Sequence, residues 1–256
     1  MTTDDMVVDV SQDWVLACDV QRGFMQAPCA ARDFLDYSAR CRQVRAIGGD
    51  CYNFIPLKND RLAVVVGDAS GKGLAAALMI ANVQSSLRTA ALFTGDDLAA
   101  LLKVVNHQAY VSSAEDRYAT LFYGVFDGSN RTLRYVNAGH NPPVVMRRDG
   151  SMHWLETGGA PVGLFADSEY EEGIVKLEAC DLLIAFTDGL IEATNQDGEE
   201  WGVQGLLKAA GCGAQCSQDA GDLVDLIFNT VDGFSQGHQT DDSTLAVVRV
   251  ESSRRF

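Results

Sequence analysis

The stretch CYNFIPLKNDRLAVVVGD, residues 51–68, places two apolar, β-rich runs on either side of the short polar segment Lys58–Asp60. Two such runs joined by a tight turn predict a β-hairpin, whose strands are antiparallel. The pattern recurs where Asp-Gly turns separate YATLFYGVF from RTLRYVNA and PVVMRR from SMHWLE. Successive hairpins argue against a parallel, doubly wound sheet.

Helical periodicity occurs between these hairpins and again near the C-terminal end. Apolar residues recur at three- and four-residue steps after Gly73, after Asp97 and between Leu223 and Val231. Each pattern predicts a helix with one buried face. Helices that alternate with blocks of hairpins predict an α+β domain in which helices cover antiparallel sheets.

Charge and composition limit the possible partners. The 256 residues carry a formal net charge of -15, which disfavours nucleic acid and membrane surfaces as partners and favours bound cations. Seven cysteines are scattered without a C-x-x-C pair, so neither a disulfide framework nor a zinc site is expected. The N-terminus is acidic and no run of about 18 apolar residues occurs. We therefore expect a soluble, cytoplasmic protein.

A narrow apolar stripe with helical spacing runs from Val10 to Met25, and Pro28 then interrupts it. Two interpretations are open: a helix packed on its own domain, or a linker helix through which the chain forms a homodimer. We accordingly divide the chain into an N-terminal linker or dimerisation helix, residues 1–30, and a main domain, residues 31–256.

Several aspartates share one local arrangement, at the end of an apolar strand and beside glycine or another aspartate, where the chain turns. They are Asp50, Asp68, Asp188, Asp241 and Asp242. Any one alone is readily explained as a turn or helix-cap residue, but the repetition favours a convergent cluster. Carboxylates converge in a partly buried site only when positive charge is supplied. Hard divalent cations such as Mg²⁺ and Mn²⁺ suit these oxygen ligands.

Two other polar motifs are open to a functional interpretation. GDASGKG resembles a phosphate-binding loop, but a Walker A sequence needs four residues between its glycines and Ser or Thr after the lysine; here there are three, and Gly73 follows Lys72. We interpret Lys72 as a solvated loop residue, with contact to substrate phosphate as the alternative. His140, in NAGHNPP, is interpreted as a turn residue bonded to backbone rather than as a catalytic base.

Seven motifs resemble, in order and spacing, those of the SpoIIE/RsbU-like serine phosphatases, the bacterial branch of the type 2C (PPM) superfamily: AIGGDCYNF, VVVGDASGKGLAAALMIA, YATLFYGVFD, RYVNAGHNPP, GGAPVGL, FTDGLIEATN and TDDSTLAVV. The resemblance implies a PPM-type α/β/β/α sandwich of two antiparallel sheets flanked by helices. It implies a metal-dependent protein serine/threonine phosphatase. Its expected substrate is phosphoserine or phosphothreonine on a regulatory protein, an anti-sigma factor antagonist with a STAS domain, in signal transduction and stress response.

The resemblance also implies a catalytic centre of two Mn²⁺ or Mg²⁺ ions, held by Asp50, Asp68, Asp188, Asp241 and the backbone carbonyl of Ala69. Asp68 would bridge the ions, and Asp242 could exchange roles with Asp241. Such ions activate a water for in-line attack on phosphorus. Asn53 stands where family members usually carry a second aspartate, and we expect it not to contact the metal.

The alternative function is a catalytically inactive, phosphatase-like binding module in signalling. A binding module has no need to retain four converging charges, so the intact set of aspartates favours an enzyme. The sequence identifies no general acid for the leaving serine.

Overall fold

A computed structural model describes residues 10–25, 34–94, 96–113, 116–216 and 219–251. Pro28 and the predicted domain boundary between residues 30 and 31 lie outside these ranges. The described elements are, in chain order, α1 (Val10–Phe24), β1 (Leu35–Arg42), β2 (Asp50–Leu57), β3 (Arg61–Ala69), α2 (Leu74–Ala90), α3 (Leu98–Ser112), β4 (Ala119–Asp127), β5 (Thr132–Ala138), β6 (Val144–Met146), β7 (Met152–Trp154), β8 (Gly158–Gly159), β9 (Gly173–Lys176), β10 (Leu182–Phe186), α4 (Asp188–Ile191), α5 (Gly202–Cys216), α6 (Ala220–Ser235) and β11 (Ser243–Val250).

The strands form two sheets that pack face to face. One has the order β1-β11-β10-β6-β7, and the other has the order β2-β3-β4-β5-β8, with β9 also paired to β5. All strand pairs are antiparallel except β5–β8. A buried cluster that includes Phe54, Phe122 and Val248 fills the space between the sheets. Helices α2 and α3 cover one outer face and α5 and α6 cover the other, which confirms the predicted α/β/β/α sandwich.

The three predicted hairpins are all present. In the first, Leu57 pairs with Arg61, and the turn between them places Asn59 and Asp60 at φ values of 59° and 55°. Asn and Asp tolerate this left-handed conformation better than most residues. The same register sets Asp50 directly opposite Asp68 at the other end of the hairpin.

The predicted helices after Gly73, after Asp97 and around Leu223 correspond to α2, α3 and α6. Asp97 caps α3, because its side chain accepts a hydrogen bond of 2.8 Å from the backbone N–H of Ala100. Helix α5 is a finding beyond the sequence prediction. None of the described helices is long and apolar enough to cross a membrane.

Helix α1 contacts the main domain through its last turns. The Gln21 side chain donates to the Gly48 carbonyl at 2.7 Å and accepts from the Gly48 N–H at 3.2 Å. The Phe24 carbonyl accepts from the Asn53 side chain at 3.0 Å. These bonds support the interpretation of a helix packed on its own domain. Trp14, in the predicted apolar stripe, is exposed, and dimerisation through α1 stays a prediction.

Candidate active site

Four segments that are distant in sequence bring the predicted aspartates to one edge of the sandwich. Asp50 begins β2 and Asp68 lies near the end of β3. Asp188 follows β10 at the start of α4, and the Asp241–Asp242 pair directly precedes β11. Strands β10 and β11 are neighbours in one sheet, as β2 and β3 are in the other. The predicted site residues therefore come from both layers of the sandwich.

Asp50 is the most deeply buried of these carboxylates. Its Oδ2 accepts hydrogen bonds of 2.7 Å from the hydroxyls of Thr187, which directly follows β10, and Thr244, which lies on β11 of the opposite sheet. Burial raises the pKa of Asp50 well above its usual value, and the neighbouring Asp68 raises it further. The two threonines offset part of this effect and lock the carboxylate in place. The sequence analysis did not identify either threonine, although Thr187 directly precedes Asp188 and Thr244 closely follows Asp242.

Asp68 lies at the electrostatic centre of the cluster. Burial, followed by repulsion from other carboxylates, raises its pKa to about 7; the repelling groups are Asp188, Asp241 and Asp242. A carboxyl group whose pKa is raised this far lacks a nearby positive charge that would stabilise its ionised form. The cluster therefore meets the electrostatic condition for a cation site.

Asp241 and Asp242 have different environments despite being adjacent. Both carboxylate oxygens of Asp242 accept backbone N–H bonds, from Val44 at 2.8 Å and from Gly49 at 3.0 Å. Asp241 instead forms an ion pair of 2.6 Å with Lys72. Asp242 thus holds the loop before β2, and Asp241 is the freer carboxylate of the two. Lys72 is exposed as interpreted from sequence, although it pairs with a candidate ligand.

The donor set fits a hard divalent cation, since it consists of carboxylates together with the Ala69 carbonyl, which lies beside Gly49 and Asp68. Within the described residues, no three acidic, imidazole or thiolate side chains already surround a single point. Asp241 faces Lys72, and Asp188 accepts from the Gly189 N–H at 2.8 Å.

Asn53 lies on β2 three residues beyond Asp50 and is buried. Its side-chain nitrogen donates to the Phe24 carbonyl at 3.0 Å and approaches the Gln84 side-chain oxygen at 3.3 Å. Both partners belong to helices α1 and α2. Its amide nitrogen is therefore used to bond these helices.

Two glycines allow the segments of the site to approach closely. A Cβ on Gly189 would lie 2.0 Å from the Asp242 carbonyl oxygen, and one on Gly48 would lie 1.9 Å from the Asp242 carboxylate. We expect Gly189→Ala to lower the free energy of unfolding by roughly 1–3 kcal/mol, as other overpacking changes do. The substitution should also weaken Mn²⁺ binding, because the added methyl group would displace the Asp242 backbone, which directly follows Asp241. Chemical denaturation and calorimetry measure the two effects.

Gly233→Ala is the matched control. A Cβ on this α6 glycine meets no heavy atom within 4 Å, so the substitution should raise stability by roughly 0.5–1 kcal/mol. Equal stability and equal Mn²⁺ affinity of Gly189→Ala and the wild type would contradict the packing argument.

A sequence model of the family of stage II sporulation protein E (SpoIIE) matches residues 58–251. Among curated proteins, the chain is 26% identical to protein IcfG of Synechocystis sp., over 90% of this chain and 40% of that protein. It is 24% identical to phosphoserine phosphatase RsbU of Bacillus subtilis, over 94% of this chain and 71% of that protein. The chain therefore spans well under half of the first of these relatives.

Solved structures agree on the fold. The SiaA-PP2C domain of Pseudomonas aeruginosa superposes with a TM-score of 0.81 at 18% identity, over 95% of this chain and 98% of that one. The catalytic domain of the serine/threonine protein phosphatase PstP, solved with two manganese ions, superposes with a TM-score of 0.60 at 17% identity, over 86% and 99%. Because the family match covers more than half of the sequence, this chain belongs to the SpoIIE family, and its fold is that of the PP2C phosphatases.

Proposed function

We propose that this chain is a metal-dependent protein serine/threonine phosphatase that hydrolyses phosphoserine or phosphothreonine on a regulatory protein. The observation that carries the proposal is the convergence of carboxylates from both sheets at one edge, where repulsion and burial raise the pKa of Asp68 to about 7. Such a cluster needs a cation. The similarity to RsbU, a phosphoserine phosphatase by name, supports the reaction class.

The proposed ligands of two Mn²⁺ or Mg²⁺ ions are Asp50, Asp68, Asp188, Asp241 and the Ala69 carbonyl. When bound, such ions polarise the phosphoryl group and lower the pKa of the attacking water. Asp68 would be the ligand shared between the ions, and its interactions with carboxylates from three other segments support this assignment. Asp242 has the role of holding the loop before Asp50 in position, since backbone N–H groups occupy both of its oxygens.

The chain's other residues prepare the site for this chemistry. Thr187 and Thr244 fix one oxygen of Asp50 and leave the other for a cation. Lys72 neutralises part of the charge on Asp241 through their ion pair.

The substrate and the domain division are part of the same proposal. We take the substrate to be an anti-sigma factor antagonist with a STAS domain. Residues 31–256 would form the phosphatase domain, and residues 1–30 a linker helix that permits homodimerisation. A cytoplasmic location follows from a substrate of this kind.

The test is phosphate release from a phosphorylated STAS-domain protein. We expect release that depends on Mn²⁺ and stops when EDTA is added. An inactive binding module would bind the phosphorylated partner but release no phosphate, and it would give no saturable heat on titration with Mn²⁺. Either result would refute the proposed function.

A further inference from the structure

His140 is a buried side chain without a part in the proposed chemistry. It lies just after β5, with a side chain that is 5% exposed. Burial lowers its pKa to about 4. The ring is therefore neutral at physiological pH, and one nitrogen can donate while the other can accept.

On one side, the ring contacts the strand that carries Asp68. His140 Nδ1 lies 2.9 Å from the Thr120 hydroxyl, and this hydroxyl lies 3.4 Å from the Asp68 carbonyl oxygen. Thr120 is the residue on β4 that pairs with Asp68 on β3. Because the hydroxyl has one proton, both bonds form only when Nδ1–H donates to Thr120 and Thr120 donates to Asp68.

On the other side of the ring, Nε2 is buried and has no hydrogen-bond partner among the described residues. A neutral imidazole carries one N–H, so the Nδ1–H that donates to Thr120 leaves Nε2 without a proton to donate. The hydrogen bonds of the ring therefore run only to the strands that carry Thr120 and Asp68.

The backbone of His140 is fixed independently of its ring. Its N–H donates to the Asn137 side chain at 2.8 Å, and its carbonyl accepts from the same side chain at 3.0 Å. The Asn137 amide also donates to the Leu155 carbonyl at 3.0 Å. These bonds place His140 in a turn, as interpreted from sequence, but the ring itself bonds to the Thr120 hydroxyl rather than to backbone. They do not explain why the turn carries a buried imidazole.

We propose that His140 is a positioning residue of the metal centre, holding the Asp68 backbone in place through the Thr120 hydroxyl. The inference rests on the proposed function, because it presupposes that Asp68 is a ligand of the centre. His140 acts through Thr120, and it does not touch substrate or metal. Partners that orient metal ligands in this way typically change metal affinity by about 10–100-fold.

The experiment measures Mn²⁺ affinity by calorimetry on the full chain, together with the melting temperature of the metal-free protein. We expect His140→Leu to weaken Mn²⁺ binding by about 10–100-fold. His140→Asn keeps a polar group at the position of Nδ1 and should recover part of the affinity. Thr120→Val should weaken Mn²⁺ binding about as much as His140→Leu does. The double variant should bind Mn²⁺ only a little more weakly than either single variant, because each of these changes breaks the same chain of hydrogen bonds.

The control is Leu133→Ala, which removes buried side-chain volume at the far end of β5. It should lower the melting temperature and leave the Mn²⁺ affinity unchanged. If it weakened Mn²⁺ binding as much as His140→Leu does, the role of His140 would be merely structural and the proposal would fail. If His140→Leu does not fold, the Mn²⁺ affinity of Thr120→Val tests the proposal instead. An affinity of Thr120→Val for Mn²⁺ equal to that of the wild type would overturn the proposal. A wild-type chain that binds no Mn²⁺ would overturn the proposed function as well.

Discussion

Replacing Asp68 by asparagine is expected to lower phosphatase kcat/KM by more than about 100-fold, because loss of a direct ligand should exceed the 10–100-fold cost of losing a residue that merely orients one. The same change should stabilise the metal-free chain at pH 7.5. Burial and three neighbouring carboxylates raise the pKa of Asp68 to about 7, so its charged form is unfavourable in the folded state. The neutral amide has nearly the same shape and removes that repulsion.

Phosphate release with Mn²⁺ and denaturant unfolding in EDTA measure the two effects on one protein. Asp149→Asn is the matched control, since Asp149 lies in the exposed turn between β6 and β7 and bonds to Ser151 at 2.6 Å. This variant should keep wild-type kcat/KM. Activity of Asp68→Asn equal to that of the wild type would show that Asp68 does not serve the reaction. A simultaneous loss of activity and of metal-free stability would instead indicate a structural residue.

The features that sequence could predict are those decided locally. Alternating apolar residues and turn residues sufficed for the three hairpins, and an aspartate at a strand end is visible in the sequence whatever its partners. The convergence of these ends follows from the hairpin register, which pairs Asp50 with Asp68. Pairing of β10 with β11 brings the other ends together.

Helix α5 escaped prediction because its sequence, GVQGLLKAAGCGAQC, is rich in glycine. Glycine in a helix costs up to about 1 kcal/mol relative to alanine. Burial of Leu206, Leu207 and Ala210 against the sheet offsets this cost. Tertiary packing, which the local pattern does not contain, therefore decided the structure of this segment.

Contacts between the sheets were likewise beyond local reasoning. Thr187 and Thr244 bond to Asp50 across 137 and 194 residues of sequence. The different roles of Asp241 and Asp242 depend on where the loop around Val44 lies. For His140, the backbone bonds were foreseeable from the turn, and the ring's contact with Thr120 was not.

Metal and pH are expected to have large, coupled effects on stability. The pKa of Asp68 is about 7 in the folded chain, whereas an aspartate without these interactions has a pKa of 3.8. Between these two pH values the folded state therefore binds more protons than the unfolded state. The contribution of Asp68 to the free energy of unfolding is therefore fully present below pH 4 and is lost as the pH rises to about 7. Asp50, whose pKa is also raised, acts in the same direction. Mn²⁺ at about 100 times its Kd adds about 2.7 kcal/mol, which corresponds to roughly 5–10 °C in Tm for a domain of this size.

Thermal unfolding in EDTA and in excess Mn²⁺, at pH 5 and pH 7.5, measures these effects. Other carboxyl groups also contribute to the pH dependence, among them Asp181 and Glu192, whose pKa values are raised by burial and which therefore act with the same sign. The informative quantity is thus the difference in Tm between the wild type and Asp68→Asn at each pH. In EDTA, Asp68→Asn should gain most over the wild type at pH 7.5 and little at pH 5, whereas in Mn²⁺ the order at pH 7.5 should reverse. A difference in Tm that is independent of both pH and Mn²⁺ would mean that the carboxylates do not form one electrostatic unit, and the metal centre proposed for them would then lack its physical basis.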